Sequence, residues 1–192
     1  MTVLIPFAGL SAVPWKNGGG STTEIAIEPP DAGFDNFDWR ISLATITRDG
    51  PFSLFPGVDR TLALVDGHGM TLDIDGAERV LVCDDEPVVS FAGEARVEAT
   101  LNRGATSDFN VMTRRARCRH KFGRRTLTGN SEFVPGGDVT VLFLAEGDGL
   151  AVSSDDERIG MVRCDAIVFD DNAPWTLEAV HGVVFIVDIF YD

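Results

Sequence analysis

The chain has 192 residues, of which 44% are hydrophobic and 24% charged, and its 30 acidic against 16 basic side chains leave a formal charge of −14. That length accommodates one domain or two small fused ones with a substantial core, and no apolar run approaches the ~20 residues that a membrane helix needs. A charge so negative repels nucleic acid and anionic membranes at long range, so neither is an expected partner.

Residues 1–15 are apolar, but the first cation, Lys16, lies beyond the apolar stretch, so a mature strand is predicted rather than a signal peptide. Pro14-Trp15-Lys16-Asn17-Gly18-Gly19-Gly20 follows. A phosphate loop would place lysine after the last glycine and open a helix. Here Lys16 precedes the glycines, and the β-forming Thr23-Glu24-Ile25-Ala26-Ile27 comes next. The glycines are therefore predicted to make a tight turn or to allow close approach of backbone to another strand or a ligand. Further on, Phe37, Trp39, Ile41 and Leu43 alternate with Asp38, Arg40, Ser42 and Ala44, as a pleated strand requires. Residues 61–65, 139–145 and 182–187 are short apolar runs of β-formers. Asp-Gly pairs at 49–50, 66–67, 75–76 and 148–149 suit tight hairpins. Strands at this spacing, with no long amphipathic helix, predict a sandwich or barrel.

A faint repeat sharpens that reading. Residues 62–70, LALVDGHGM, lie over 142–150, LFLAEGDGL, at an offset of 80, and PVVSFAGE (87–94) lies over DAIVFDDN (165–172) at nearly the same offset. Two similar β-barrels are predicted. Apolar parity changes between Phe109 and Phe122, being odd at Phe109 and Val111 and even at Ala116, Cys118, His120 and Phe122. A bulge or change of sheet near Thr113-Arg114 would account for it. The first barrel is accordingly assigned to residues 1–113 and the second to 114–192.

Several chemistries lack their residues. Cys83, Cys118 and Cys164 are far apart and odd in number, which fits reduced thiols packed as small hydrophobes and a cytoplasmic chain. His68, His120 and His181 are isolated, without the paired spacing that aims two imidazoles at one ion, so neither a metal nor another cofactor is expected. No nucleophile elbow or Cys-His signature is present. Residues 114–125, RRARCRHKFGRR, hold seven of the sixteen cations, a solvated strand and turn or a docking site for an acidic partner.

What remains is a set of polar residues embedded in apolar strands: Lys16, Asn17, Glu24, Arg40, Ser42, Asp59, Arg60, Asp108, Asn110 and Arg115. Such side chains enter a barrel only when paired with each other or with a ligand, and both readings fit each residue. The segments PWKNGGGSTTEIA (14–26), WRISLATI (39–46), GPFSLFPGVDRTLALVDGHG (50–69) and DFNVMTRR (108–115), in order and across most of the first 115 residues, resemble the HutD/Ves family. The resemblance implies an all-β bicupin, two cupin-like jelly-roll barrels in one chain, without the histidine cage of enzymatic cupins. It also implies a link to histidine utilisation and binding of a small anionic metabolite such as N-formylglutamate. The family's usual Gly-Asp near the end of the first barrel is here Gly93-Glu94, which bears on pocket geometry.

On that footing the first barrel is expected to hold a small carboxylate. Arg60 and Arg115 would clamp the anion, since a planar guanidinium matches a carboxylate bidentately. Lys16, Asn17, Ser42 and Asn110 would add hydrogen bonds, Trp15 and Phe52 a wall, and Glu24 and Asp59 would orient the cations. A metal-independent enzyme with Glu24 or Asp108 as general base is the alternative. The arginine-rich strand as an interaction surface or homodimer edge is a third reading.

Overall fold

The structure is a computed structural model that describes residues 2–83, 85 and 87–192. In chain order the first strands are β1 (Thr2–Ile5), β2 (Ala12–Pro14), β3 (Gly20–Glu28), β4 (Trp39–Ile46), β5 (Gly50–Pro51) and β6 (Val58–Gly67). They are followed by β7 (Met70–Ile74), β8 (Ala77–Leu81), β9 (Val88–Ala92), β10 (Val97–Leu101) and β11 (Thr106–Arg114). The last are β12 (Cys118–Phe133), β13 (Val139–Glu146), β14 (Leu150–Ser153), β15 (Arg158–Met161), β16 (Ala166–Phe169) and β17 (Trp175–Tyr191). The chain is all-β, and among the described residues no helix is long and apolar enough to cross a membrane.

Two compact units emerge, Ser11–Cys118, and Met1–Leu10 together with Arg119–Asp192. The division differs from the sequence assignment at the N-terminus. The β-forming Thr2–Ile5 pairs antiparallel with β16, so the first strand completes a sheet of the second unit. The parity change also has its explanation. Strand β11 ends at Arg114, a turn closes with Arg117 N donating to Arg114 O at 2.9 Å, and β12 opens in another sheet.

The first unit sets a six-stranded sheet, β2-β3-β4-β11-β6-β9, over a four-stranded one, β5-β10-β7-β8. Ile46, Leu62 and Leu64 of the larger sheet form an apolar cluster with Met70, Leu72, Leu81, Val97 and Ala99 of the smaller. The glycine triplet is a turn and a close approach. Gly18 has φ +68°, and a Cβ on Gly20 would come within 2.3 Å of Thr45 O on β4. Only glycine permits that strand contact.

In the second unit β1-β16-β13-β17-β14-β15 form one sheet, with β12 also on β17. Its core is apolar: Leu142, Leu144, Val152, Ile167, Phe169, Leu177 and Val184 are among its members. The two units repeat one another in register as well as in sequence. Strand β6 lies between β11 and β9 as β13 lies between β17 and β16. In the β6/β11 ladder the pairing steps from Asp66–Ser107 to Leu64–Asp108, and in β13/β17 from Glu146–Val183 to Leu144–Val184. One residue is therefore bulged at Val65 and one at Ala145, at the same offset of 80 as the sequence repeat.

Candidate functional site

Register decides which side chains share the inner wall of the first barrel. Arg60 lies opposite Met112, which lies opposite Arg40. Leu62 pairs with Asn110, then Ser42, then Glu24, and Leu64 with Asp108, then Ala44, then Thr22. Cross-strand partners point the same way, and Leu62 and Leu64 belong to the apolar cluster between the two sheets. Arg40, Ser42, Arg60, Asp108 and Asn110 thus project into the same interior, and all five are buried. The odd-numbered Trp39, Ile41 and Leu43 and Phe109 and Val111 are buried on the opposite face. Both faces of this sheet are therefore dry, which is why its polar residues stand out chemically.

Arg60 is 6% exposed. Its guanidinium is set among Phe52, Phe55 and Phe91, with ring centroids at 5.4, 5.5 and 5.0 Å, and Nη1 donates to Ser53 O at 3.4 Å. Its Nε has no acceptor. Burial pulls its pKa down to about 10, against the pull of the Asp108 charge and with that of Arg40. Asp108 is 1% exposed, and neither carboxylate oxygen meets a donor at hydrogen-bonding geometry. Desolvation pushes its pKa up to about 7, Arg60 and the adjacent Asn110 amide opposing the rise. Asn110 Oδ1 is likewise buried without a donor. Unpaired buried polar atoms are rare because each forfeits its hydration. Here an unused donor and several unused acceptors converge in one interior.

Arg40 is already satisfied: Nε donates to Glu24 Oε2 at 2.8 Å and Nη1 to Ser42 Oγ at 3.3 Å, with Phe34 over the guanidinium at 4.9 Å. Trp15 packs against the apolar cluster and donates through Nε1 to Thr22 Oγ1 at 2.8 Å. Phe52 walls Arg60, as expected of it. Lys16 and Asn17 are exposed, and Asn17 is a turn residue whose Oδ1 accepts from Gly19 N at 2.9 Å.

Asp59 and Arg115 stand apart from this interior. Asp59 is adjacent to Arg60 in one strand and so points to the other face. Arg115 is exposed in the turn after β11, donating to Asp59 Oδ1 at 2.7 Å, to Val58 O at 3.1 Å and to Glu94 Oε1. Glu94, where the family usually has Asp, thus belongs to a surface ion cluster that depresses its own pKa, through a backbone hydrogen bond first and then Arg115. Sequence reasoning missed Phe55 and Phe91 as site residues, although Phe55 lies inside the 50–69 segment and Phe91 inside the 87–94 segment that it used. The arginine-rich run also divides. Arg114 donates to Phe37 O and Asp35 O, Arg117 lies 3.7 Å from Asp38, and Arg119 and Lys121 stack on Phe190 in the second unit. Among the described residues no three His, Cys, Asp or Glu side chains cluster as metal ligands.

A protein-family model, HutD, matches residues 8–186. The chain belongs to the HutD family. Protein Ves from Cronobacter sakazakii is 42% identical over 67% of this chain and 69% of its own length. A 21.2 kDa protein from the hutC 3′ region of Pseudomonas putida is 34% identical over 79% of each. Among solved structures, a conserved protein from Pseudomonas aeruginosa PAO1 superposes with TM-score 0.90 at 31% identity over 99% of both chains. HutD from Pseudomonas fluorescens SBW25, solved in a formate condition, gives 0.83 at 26% identity over 100% of both. The HutD family is linked by these names to histidine utilisation. Salicylate 1,2-dioxygenase from Pseudoaminobacter salicylatoxidans (TM-score 0.66, 10% identity, 97% of this chain and 80% of that one) resembles it in the cupin fold alone.

Proposed function

We propose that the first barrel binds a small carboxylate without turning it over, as a sensor of an anionic metabolite such as N-formylglutamate in the regulation of histidine utilisation. The supporting observation is the set of unpartnered buried atoms: Arg60 Nε as donor, with Asp108 Oδ1 and Oδ2 and Asn110 Oδ1 as acceptors. A ligand carboxylate satisfies the guanidinium, and an N–H group on the same ligand satisfies the amide oxygen. Phe52, Phe55 and Phe91 exclude water from the charge-assisted contact and thereby strengthen it.

The test is calorimetric titration of the wild type and Arg60→Met with N-formylglutamate, formate, urocanate and neutral formamide. Methionine keeps much of the apolar stem and removes bonds worth roughly 1.5–3 kcal/mol each, so affinity for the bound anion falls at least about tenfold. Equal affinities with an intact fold would remove Arg60 from the site. A carboxyl with a pKa of about 7 in an apolar interior is also poised for general-base work. That second reading requires product to form on incubation with the same compounds and to vanish in Asp108→Asn.

A further inference from the structure

We propose that the first barrel takes up its anion together with a proton, Asp108 receiving the proton and donating it as a hydrogen bond to the ligand. The inference rests on the carboxylate-binding reading above and adds its regulation by pH.

Asp108 and Arg60 share the inner wall, four positions apart along the β6/β11 ladder yet close enough for each charge to shift the other's pKa, and both are more than nine-tenths buried. The other charges on that wall are Arg40 of β4 and Glu24 of β3, which neutralise each other through a 2.8 Å ion pair. The facing strands contribute Met70 and Leu72 of β7, Leu81 of β8 and Val97 and Ala99 of β10, with Cys83 at the cluster's edge. Along β11, Asn110 is neutral. An arriving anion would therefore face a second, equally desolvated carboxylate across one cation. Two such carboxylates cannot both stay ionised, and one takes a proton.

Asp108 is the group to take it. Neither oxygen meets a donor at good hydrogen-bonding geometry, so ionisation is supported only by the Arg60 charge, which the ligand competes for, and by the neutral Asn110 amide. Burial already places its pKa at about 7 in the empty site, and a bound anion moves it higher. Once protonated, the carboxyl turns from an unsatisfied acceptor into an O–H donor aimed at a ligand oxygen. The covalent balance is simple: one proton leaves solvent and joins Asp108, and no other bond changes.

The sign of the pH dependence follows. Below about pH 6 Asp108 is protonated in the free protein and affinity is flat. Above about pH 7 each anion bound draws in a rising fraction of a proton, so affinity falls by about fivefold from pH 7 to 8 and by about tenfold per unit beyond. Arg60, with its pKa near 10, remains charged through that window.

The experiment is calorimetry of the wild type with N-formylglutamate at pH 6, 7 and 8, at pH 8 in buffers of low and high ionisation enthalpy, alongside Asp108→Asn. The expected result is uptake of close to one proton at pH 8, a weakening of about fivefold between pH 7 and 8, and neither effect in the variant. The buffer comparison on the wild type decides the matter even if the variant fails to fold. Binding with no proton uptake and no pH dependence would overturn the coupling and leave the binding site standing. Absence of binding at every pH, for formate as well, would overturn the functional reading and the coupling with it.

Discussion

The register positions that hold Arg60, Asp108 and Asn110 in the first barrel hold Thr140, Val184 and Ile186 in the second. Strands, bulge and offset are otherwise matched, so the difference is one of chemistry on a shared frame. In the second barrel these positions are filled without orphaned charge. Val184 is fully buried in an apolar cluster on which Ile186 packs, and the Thr140 hydroxyl donates to Asp188 Oδ1 at 2.6 Å while accepting from Gly137 N at 3.2 Å. The glycines closing the equivalent turns behave alike. Gly67 and Gly147 have φ +96° and +118°, and a Cβ on either would meet a carbonyl oxygen within about 2.6 Å. The frame is thus stable with an apolar filling, and nothing in it demands a buried guanidinium. On the proposed reading the polar interior of the first barrel is a cost carried for a ligand, since buried charges are often no better for stability than apolar residues of similar volume.

The comparison breaks most severely if the first barrel's chemistry is moved to the second. Val184→Asp would bury a carboxylate with no cation beside it, and the expected loss is about 3–5 kcal/mol of stability by urea unfolding. A loss below about 1 kcal/mol would mean that the second interior also accommodates charge. The converse replacement gives the first barrel an apolar filling: Arg60→Met, Asp108→Val and Asn110→Leu together. Stability should rise by about 1–4 kcal/mol, with anion binding gone. A destabilised triple variant would make these residues structural and weaken the functional argument.

Much of this frame was legible in the sequence. The alternation around Trp39 assigned Arg40 and Ser42 to one face correctly, and the LALVDGHGM and LFLAEGDGL segments announced the duplication. The bulges were not legible, because Val65 and Ala145 are ordinary apolar residues whose displacement depends on the partner strand. Nor was the partner of β16, since an N-terminal strand with β-forming residues has no local signal for the sheet it joins. Arg60, Asp108 and Asn110 were found as polar residues interrupting apolar runs. Asp59 and Arg115 were grouped with them by proximity in sequence, although alternation itself points Asp59 away from Arg60. For Arg115 the end of β11 at Arg114 decided the matter, as the alternation that places side chains ends with the strand.

Among the described residues each barrel retains one buried side-chain N–H without an acceptor, Arg60 Nε in the first and Trp175 Nε1 in the second. These two protons permit the most direct test of the claim that the first barrel, and not the second, is built for a ligand. In nitrogen–proton correlation spectra of the protein titrated with N-formylglutamate and with formate, the Arg60 Nε–H resonance is predicted to move downfield and saturate as its missing acceptor arrives. Trp175 Nε1–H should stay in place, its surroundings being apolar and T-shaped against Phe169 at 5.3 Å. An Arg60 signal indifferent to both anions at millimolar concentration, or a response at Trp175 instead, would contradict the account.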